Sequence, residues 1–321
     1  MRKQLMGKKF ASQADMAEKQ ISFTEIGKNI FAFTAQGDPN SGIVIGDNSV
    51  MVIEAQATPR LARKVIECVR SVTDKPISHL VLTHYHAVRV LGASAFQADQ
   101  IIMSETARGM VVERGQEDWD SEFDRFPRLF DGHEEIPGLT WPTTTFNGQM
   151  TIYLGNRRVD LIQVGRAHTA GDVVVSVPDQ NVMFTGDIVE YKSACYCGDA
   201  YYKEWPNTLD KIRKRNLDAI APGRGDAILG KKQINAALYS TQDFIETTYN
   251  SVAKVATRGG SLKEAMKECR IACDPKFNDF AIYEHCLPFN VSRAFDEAMN
   301  IETPRIWTAD RDKKLWGALQ E

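Results

Sequence analysis

Two histidines that follow a short apolar run limit the possible fold and function of this chain more than any other sequence feature. The run His79-Leu80-Val81-Leu82 is typical of a buried strand, and Thr83-His84-Tyr85-His86 comes directly after it. Side chains at positions i and i+2 lie on the same side of an extended segment, so His84 and His86 can direct two imidazoles at one point. Such a pair suits a metal ion. Two solvated loop histidines are the alternative, and this motif alone does not decide between them.

Composition and charge narrow the class of protein. The chain has 321 residues, 43% hydrophobic and 25% charged, which is ordinary for a globular protein of one large domain or two. The formal net charge of −3 gives no global basic field, which argues against a nucleic-acid partner. A small-molecule substrate is the expected partner.

The terminal segment and the cysteines indicate the expected compartment. The basic segment Met1–Phe10 is not followed by an apolar stretch, so we expect neither a signal peptide nor a membrane span. Six cysteines are too sparse for a disulfide framework. The sequence therefore predicts a cytoplasmic protein with free thiols.

The order of elements predicts an α/β protein. After a polar arm or short helix over residues 1–20, short strands begin at Ile21, and a helix runs from Thr58-Pro59 to Val72. The segment 104–145 is either a cover over a pocket or an irregular packing element. Hairpins are predicted at 150–164 and 172–184. Two strand-rich halves predict two packed sheets with helices outside.

Helical patterns dominate after Gly225. Candidate helices are 231–257, 260–270 and 291–300, and Trp205-Pro206 starts an earlier helix to about Leu217. We therefore predict an arm (1–20), a catalytic domain (21–227) and a helical extension (228–321) packed on the same body. The extension is also a candidate oligomerisation surface, which leaves a homodimer or a tetramer open.

Three further strand ends each offer a polar residue. His168 lies in Gly165-Arg-Ala-His168-Thr-Ala-Gly-Asp172, Asp187 ends Phe184-Thr-Gly-Asp187, and Arg224 lies in Ala221-Pro-Gly-Arg224-Gly225. Open α/β sheets place their sites at the carboxyl ends of strands. Together with the two histidines after the apolar run, these residues predict a single site.

In this order, the landmarks resemble those of the metallo-β-lactamase-fold hydrolases over residues 21 to 227. Glu54 stands at a strand end where that family often has Asp. The resemblance implies a four-layer αββα sandwich with a metal site at one edge of the two sheets. It also implies that His84, His86 and His168 hold the first metal and that Asp187 is the bridging carboxylate.

The departures from the family pattern, His-x-His-x-Asp-His, fall on the second metal. Where the family has Asp, His and a late His, this chain has Val88, Arg89 and Arg224. Guanidinium groups stay protonated and cannot ligate a cation. We therefore predict one metal per chain, with Arg89 and Arg224 replacing the charge of the second.

The predicted function is metal-dependent hydrolysis of a small anionic substrate with an ester, lactone, thioester or related bond. Three imidazoles with an open position are typical of catalytic zinc, which pulls the pKa of a bound water toward neutrality. Asp187 would be a further ligand or the proton acceptor. Arg89 and Arg224 would be catalytic, pairing with Asp187 or clamping a substrate anion. Tyr85 and His285 are further candidate substrate contacts.

Two other functions are consistent with the sequence. A mononuclear Fe²⁺ oxygenase, of the persulfide-dioxygenase type that the superfamily includes, would use His84, His168 and Asp187, although His86 makes the site richer in nitrogen. A non-catalytic binding protein with a degenerate site is the other. The missing second site and the helical tail argue against a true β-lactamase, and a nuclease would need both metals.

Overall fold

A computed structural model of the chain describes residues 9–320. The first eight residues of the predicted arm lie outside this range, and residues 9–20 form turns and contain no helix. None of the helices described between residues 9 and 320 combines the length and hydropathy needed to cross a bilayer.

Two mixed sheets form the centre of the molecule. The first sheet contains, in spatial order, β1 (Ile21–Gly27), β2 (Ile30–Ala35), β3 (Ser41–Ile45), β4 (Val50–Ile53), β5 (Ile77–Val81), β6 (Gln100–Ser104) and β7 (Thr144–Phe146). The second contains β8 (Gln149–Leu154), β9 (Arg157–Ile162), β10 (Val174–Val177), β11 (Val182–Phe184), β12 (Ala219–Ala221) and β13 (Ile228–Leu229), also in spatial order. The strands β4 to β7 are parallel, as are β11 and β12, and the other neighbours are antiparallel.

Eight α-helices lie outside the sheets within residues 9–320. They are α1 (Pro59–Val72), α2 (Ala87–Val90), α3 (Glu105–Arg125), α4 (Trp205–Arg213), α5 (Lys231–Thr257), α6 (Leu262–Phe277), α7 (Tyr283–Ala298) and α8 (Ala309–Gln320). The start of α1 follows the predicted signal, because the Thr58 side chain accepts from the Leu61 amide and Pro59 opens the first turn.

The hydrophobic core explains the four layers. One apolar cluster joins the facing sides of the sheets, with Val44 and Ile53 from the first sheet and Leu161 and Val175 from the second. A second cluster packs α1 and α3 on the outer face of the first sheet, and a third packs α5 to α7 on the outer face of the second. The predicted αββα sandwich is therefore confirmed, as is the helical C-terminal region.

The helical region differs from the sequence prediction in its boundaries. The predicted helix 231–257 coincides with α5, but α6 continues seven residues beyond position 270, to Phe277, and α7 begins at Tyr283 instead of 291. Each helix contains a proline near one end, Pro275 in α6 and Pro288 in α7. Proline usually marks a helix boundary because it removes an intrahelical hydrogen bond, but the buried faces of both helices pack into the outer apolar cluster, so both helices continue through it.

The close approach of the two sheets depends on Gly42 in β3. A Cβ atom at this position would collide with the ring of Phe184 in β11, which is buried. The absence of a side chain at Gly42 lets the end of β11, which leads into Asp187, lie directly against the first sheet.

We predict that Gly42→Ala lowers the free energy of unfolding by about 1–3 kcal/mol, because overpacking forces the Phe184 ring from its position. Urea denaturation measures this change. Gly109→Ala is the matched control, since Gly109 lies within α3 and a Cβ there meets no atom within 4 Å. Gly109→Ala should stabilise the protein by up to about 1 kcal/mol. Equal effects of the two substitutions would contradict the close sheet contact.

Candidate metal centre

The carboxyl ends of several strands meet at one edge of the sandwich. His84 and His86 follow β5, His168 follows β9, and Asp187 follows β11. The Val173 amide donates to the Thr83 carbonyl at 2.9 Å, a bond that joins the two sheets beside the histidine loop. The Thr83 amide also donates to the Glu54 carboxylate at 2.7 Å. These bonds fix the direction in which the loop leaves its strand.

The three predicted histidine ligands converge. One ring nitrogen from each of His84, His86 and His168 lies within 4.8 Å of the other two. The closest pair is Nε2 of His168 and Nδ1 of His86, at 2.9 Å. All three side chains are buried. Imidazole nitrogens at this separation can share one ion.

The outer nitrogen of each ring has its own partner. These pairs are His84 Nδ1 with Thr83 Oγ1 at 2.9 Å, His86 Nε2 with Asp199 Oδ2 at 3.1 Å, and His168 Nδ1 with the Tyr196 carbonyl at 2.8 Å. Such contacts orient a ligating histidine and fix its tautomer. The inner nitrogen of His84, Nε2, is buried and finds no hydrogen-bond partner within residues 9–320. The donor set therefore fits a metal ion.

Protonation of the histidines and of Asp199 is set by burial and charge. Burial lowers the pKa of His168 to about 3 and that of His84 well below its usual value, which favours the neutral imidazoles that ligate metals. For His86, burial lowers the pKa, but Asp118 and the Asp199 hydrogen bond raise it to about 9. Burial raises the pKa of Asp199, but the His86 hydrogen bond and Arg114 hold it at about 2, so this carboxylate is charged.

Asp187 faces the histidines with one carboxylate oxygen and Arg89 with the other. Its Oδ2 lies 3.8 Å from His84 Nε2 and 3.6 Å from His168 Nε2. Its Oδ1 accepts from the Arg89 guanidinium, which also donates to the Asn40 carbonyl at 3.2 Å. Burial would raise the pKa of Asp187, but Arg89 and the histidines bring it below its usual range. Asp187 is therefore an ionised, oriented carboxylate.

Arg89 and Arg224, the two arginines predicted to lie in the site, occupy different environments. Arg89 is fully buried, and its position favours the predicted pairing with Asp187. Arg224 donates to the Gly37 carbonyl at 3.0 Å, and its guanidinium lines a small cavity together with Val88. Arg89 thus belongs to a buried ion pair, and Arg224 belongs to a cavity wall. A substrate contact for Arg89 stays a prediction.

Tyr85 and His285, the other predicted substrate contacts, both have partners in the structure. The Tyr85 hydroxyl donates to Asp199 at 2.6 Å and so supports the partner of His86. His285 Nδ1 lies 2.8 Å from the Ser12 hydroxyl, and its ring lines the same cavity as Arg224. Only His285 therefore lies where it could contact a substrate in that cavity, and both assignments stay predictions.

Sequence reasoning missed several buried charged residues around the histidines, among them Asp199 and Arg125. Asp199 follows the Cys195-Tyr-Cys197 motif, whose thiols are buried packing groups, and it accepts from Tyr85 and Arg114 as well as lying beside His86. Arg125 ends α3, inside the segment 104–145 that we considered as a pocket cover. The acidic and aromatic composition of that segment was the available signal, but it identified no single residue.

The comparison with known proteins agrees with this geometry. The family model described as "Metallo-beta-lactamase superfamily" matches residues 35–224, and the chain belongs to this superfamily. A metallo-beta-lactamase type 2 from Bacillus cereus is 24% identical over 218 residues, which are 64% of this chain and 77% of the relative. The structure of a metallo-beta-lactamase from Pontibacter korlensis has a TM-score of 0.56 at 19% identity, covering 71% of this chain and 99% of that one.

Alkylsulfatases are also similar to this chain. A linear primary-alkylsulfatase from Pseudomonas sp. is 20% identical over 254 residues, which are 69% of this chain and 48% of the relative. The structure of the sec-alkyl sulfatase PisA1 has a TM-score of 0.68 at 14% identity, covering 87% of this chain and 50% of that one. The chain thus spans about half the length of these sulfatases. The likeness in fold to PisA1 extends over more of the chain than the likeness to the β-lactamase structure.

We predict that Asp199→Asn weakens metal binding by about 10- to 100-fold, because the variant loses the charged partner of His86. Competition with a chromogenic chelator measures the affinity. Asp120→Asn, an exposed carboxylate on α3, is the control and should leave affinity unchanged. Unaltered affinity in the Asp199 variant would mean that this carboxylate does not orient the ligand.

Proposed function

We propose that the protein is a metal-dependent hydrolase that acts on a small anionic ester through a single ion held by His84, His86 and His168. The observation that carries the proposal is the convergence of three inner imidazole nitrogens, with every outer nitrogen held by a neighbouring group. Three buried imidazoles and the buried carboxylate of Asp187 are thus directed at one point. In a purely structural core, a buried ring nitrogen such as His84 Nε2 would be expected to have a hydrogen-bond partner.

The residues around the second-metal position support a one-metal site. Val88 offers no ligand atom, and Arg224 contributes a fixed positive charge to the adjoining cavity. Arg89 already neutralises Asp187 from the side away from the histidines. A second cation beside Asp187 would face two guanidinium groups at close range, which is electrostatically unfavourable.

The donor set favours zinc over iron. Three nitrogens with an adjacent carboxylate match the mixed nitrogen and oxygen ligands of catalytic zinc, whereas a two-histidine iron site would leave His86 without a role. Zinc at this centre would supply a nucleophilic hydroxide near neutral pH.

Asp187 and Arg89 would prepare the site for hydrolysis. Arg89 holds Oδ1 of Asp187, and this leaves Oδ2 directed at the histidines, where it can ligate or accept a proton from the attacking water. Since Arg89 also keeps the carboxylate ionised, Oδ2 is available to a metal ion without a conformational change. Arg224 would attract the substrate's negative charge from the cavity side.

The substrate class follows from charge and from the relatives. Guanidinium groups beside the centre suit a sulfate, phosphate or carboxylate group. The relatives named alkylsulfatases are similar to most of this chain, and the likeness to PisA1 covers more of it than residues 21–227 contain. We therefore propose sulfate monoesters as the first substrates to test, ahead of lactones and thioesters.

We predict that the zinc-loaded protein hydrolyses an aryl or alkyl sulfate and that a chelator abolishes this activity. Added zinc should restore it. A coupled assay for released alcohol, run beside neutral ester, lactone, thioester and β-lactam panels, measures the preference. No hydrolysis of any panel member by protein that retains its metal would contradict the proposal and favour a binding protein.

Substitution of the two arginines should separate their roles. We expect Arg89→Ala to lower the free energy of unfolding by about 3–5 kcal/mol, because it leaves Asp187 as an unpaired buried charge, and to lower kcat at least tenfold. Arg224→Ala should chiefly raise KM for anionic substrates, about tenfold. Urea denaturation and steady-state kinetics provide these values. Unchanged turnover in both variants would refute the assigned roles.

A further inference from the structure

A small cavity lies beside the candidate metal centre. Its volume is about 20 Å³, which is room for roughly one water-sized group. The wall residues that matter here are Val88, Glu122, Arg125, Tyr196, Arg224 and His285. The Tyr196 ring lies 5.7 Å from the His86 ring, measured between ring centroids, so this wall reaches the histidine cluster.

Arg125 is the least satisfied charged group in this wall. Its side chain is 1% exposed, and NH1 donates to the Tyr196 hydroxyl at 2.8 Å. NH2 lies 3.9 Å from Glu122, too far for a hydrogen bond, and neither NH2 nor Nε finds an acceptor within residues 9–320. A buried guanidinium with free N–H groups costs free energy unless an acceptor is supplied.

The side chains that line the cavity carry more positive than negative charge. Arg125 and Arg224 both line it, and burial beside these two arginines lowers the pKa of His285, which keeps that ring neutral. Glu122 is the carboxylate in this wall, and its Oε2 already accepts from the Val88 amide at 3.0 Å. Asp312 and Glu190 do not line the cavity, but each forms an ion pair with one of the two arginines: Asp312 lies 3.4 Å from Arg125 Nε, and Glu190 lies 3.9 Å from Arg224 Nε.

We infer that Arg125 and Arg224 together form an oxyanion subsite, in which the free NH2 group of Arg125 binds an oxygen atom of the substrate's anionic group. This inference rests on the proposed function and extends it, since it assigns the recognition of the anion to a residue of α3. The cavity volume matches a single oxyanion oxygen. A planar guanidinium fixed by Tyr196 is suited to that contact because its donors are already oriented.

Binding of inorganic sulfate to the zinc-loaded full chain, measured by isothermal titration calorimetry, tests the subsite. We expect Arg125→Gln to weaken binding at least tenfold. Arg125→Lys keeps the charge but loses the planar pair of donors, so it should give an intermediate affinity. With a sulfate ester as substrate, Arg125→Gln should raise KM more than it lowers kcat.

Glu122→Gln provides a test of opposite sign. It removes the negative charge from the cavity wall while an amide oxygen can still accept from Val88, so sulfate should bind several-fold more tightly. This variant leaves Arg125 in place and remains informative if Arg125→Gln does not fold. Arg128→Gln is the matched control, since Arg128 follows closely in sequence but pairs with Asp38 and Asp15, away from the cavity.

The outcomes separate this inference from the proposed function. Arginine-dependent sulfate binding without any hydrolysis would support the subsite and overturn the proposed function. Hydrolysis with unchanged sulfate affinity in folded Arg125→Gln and Glu122→Gln would overturn the subsite alone. Equal weakening by Arg125→Gln and Arg128→Gln would likewise overturn it, since a general loss of positive charge would then explain the effect.

Discussion

The buried ion pair between Arg89 and Asp187 is the interaction on which the candidate centre depends. It joins α2, which follows β5 of the first sheet, to the segment after β11 of the second, so it also holds the two halves of the sandwich together at the edge where the histidines meet. An ion pair without solvent is favourable only when its remaining polar atoms are satisfied. Here the Asn40 carbonyl accepts a second bond from Arg89, whereas Arg89 Nε finds no hydrogen-bond partner within residues 9–320 and lies 4.0 Å from the Glu54 carboxylate.

This pair has a direct consequence for the chemistry. With one oxygen of Asp187 held by Arg89, the other is directed at His84 and His168. In the family pattern a second cation would lie on the far side of this carboxylate. A guanidinium there supplies a positive charge of fixed position that cannot be lost to a chelator. Under the proposed function, the guanidinium of Arg89 thus takes the place of a metal ion that could dissociate.

Much of the fold could be predicted from the sequence. Apolar runs such as Val50–Ile53, together with turn residues, identified the strands, and the sequence order of His84, His86, His168 and Asp187 predicted a shared site that the structure assembles. The strand predictions succeeded because strand ends carry strong local signals: a buried run, then a glycine or a polar residue. That the residues at these strand ends hold a metal stays a prediction. The helices that contain Pro275 and Pro288 were predicted less well, because packing outweighed the local tendency of proline to end a helix.

The supporting residues could not be predicted for a different reason. Asp199 and Arg125 act through contacts across long sequence distances, 113 residues between Asp199 and His86 and 71 between Arg125 and Tyr196. No local pattern marks such a residue, since a buried charge is recognised only once its neighbours are known. Arg89 could be identified from the sequence because it stands at a position of the family motif. That its side chain is buried is known only from the structure.

The number and position of metal ions test the central claim most directly. A crystal structure of protein purified without added metal, with anomalous data collected on both sides of the zinc absorption edge, would locate each ion. The account predicts one zinc peak, bounded by His84, His86 and His168. A second peak of comparable height beside Asp187 and Arg224 would contradict it.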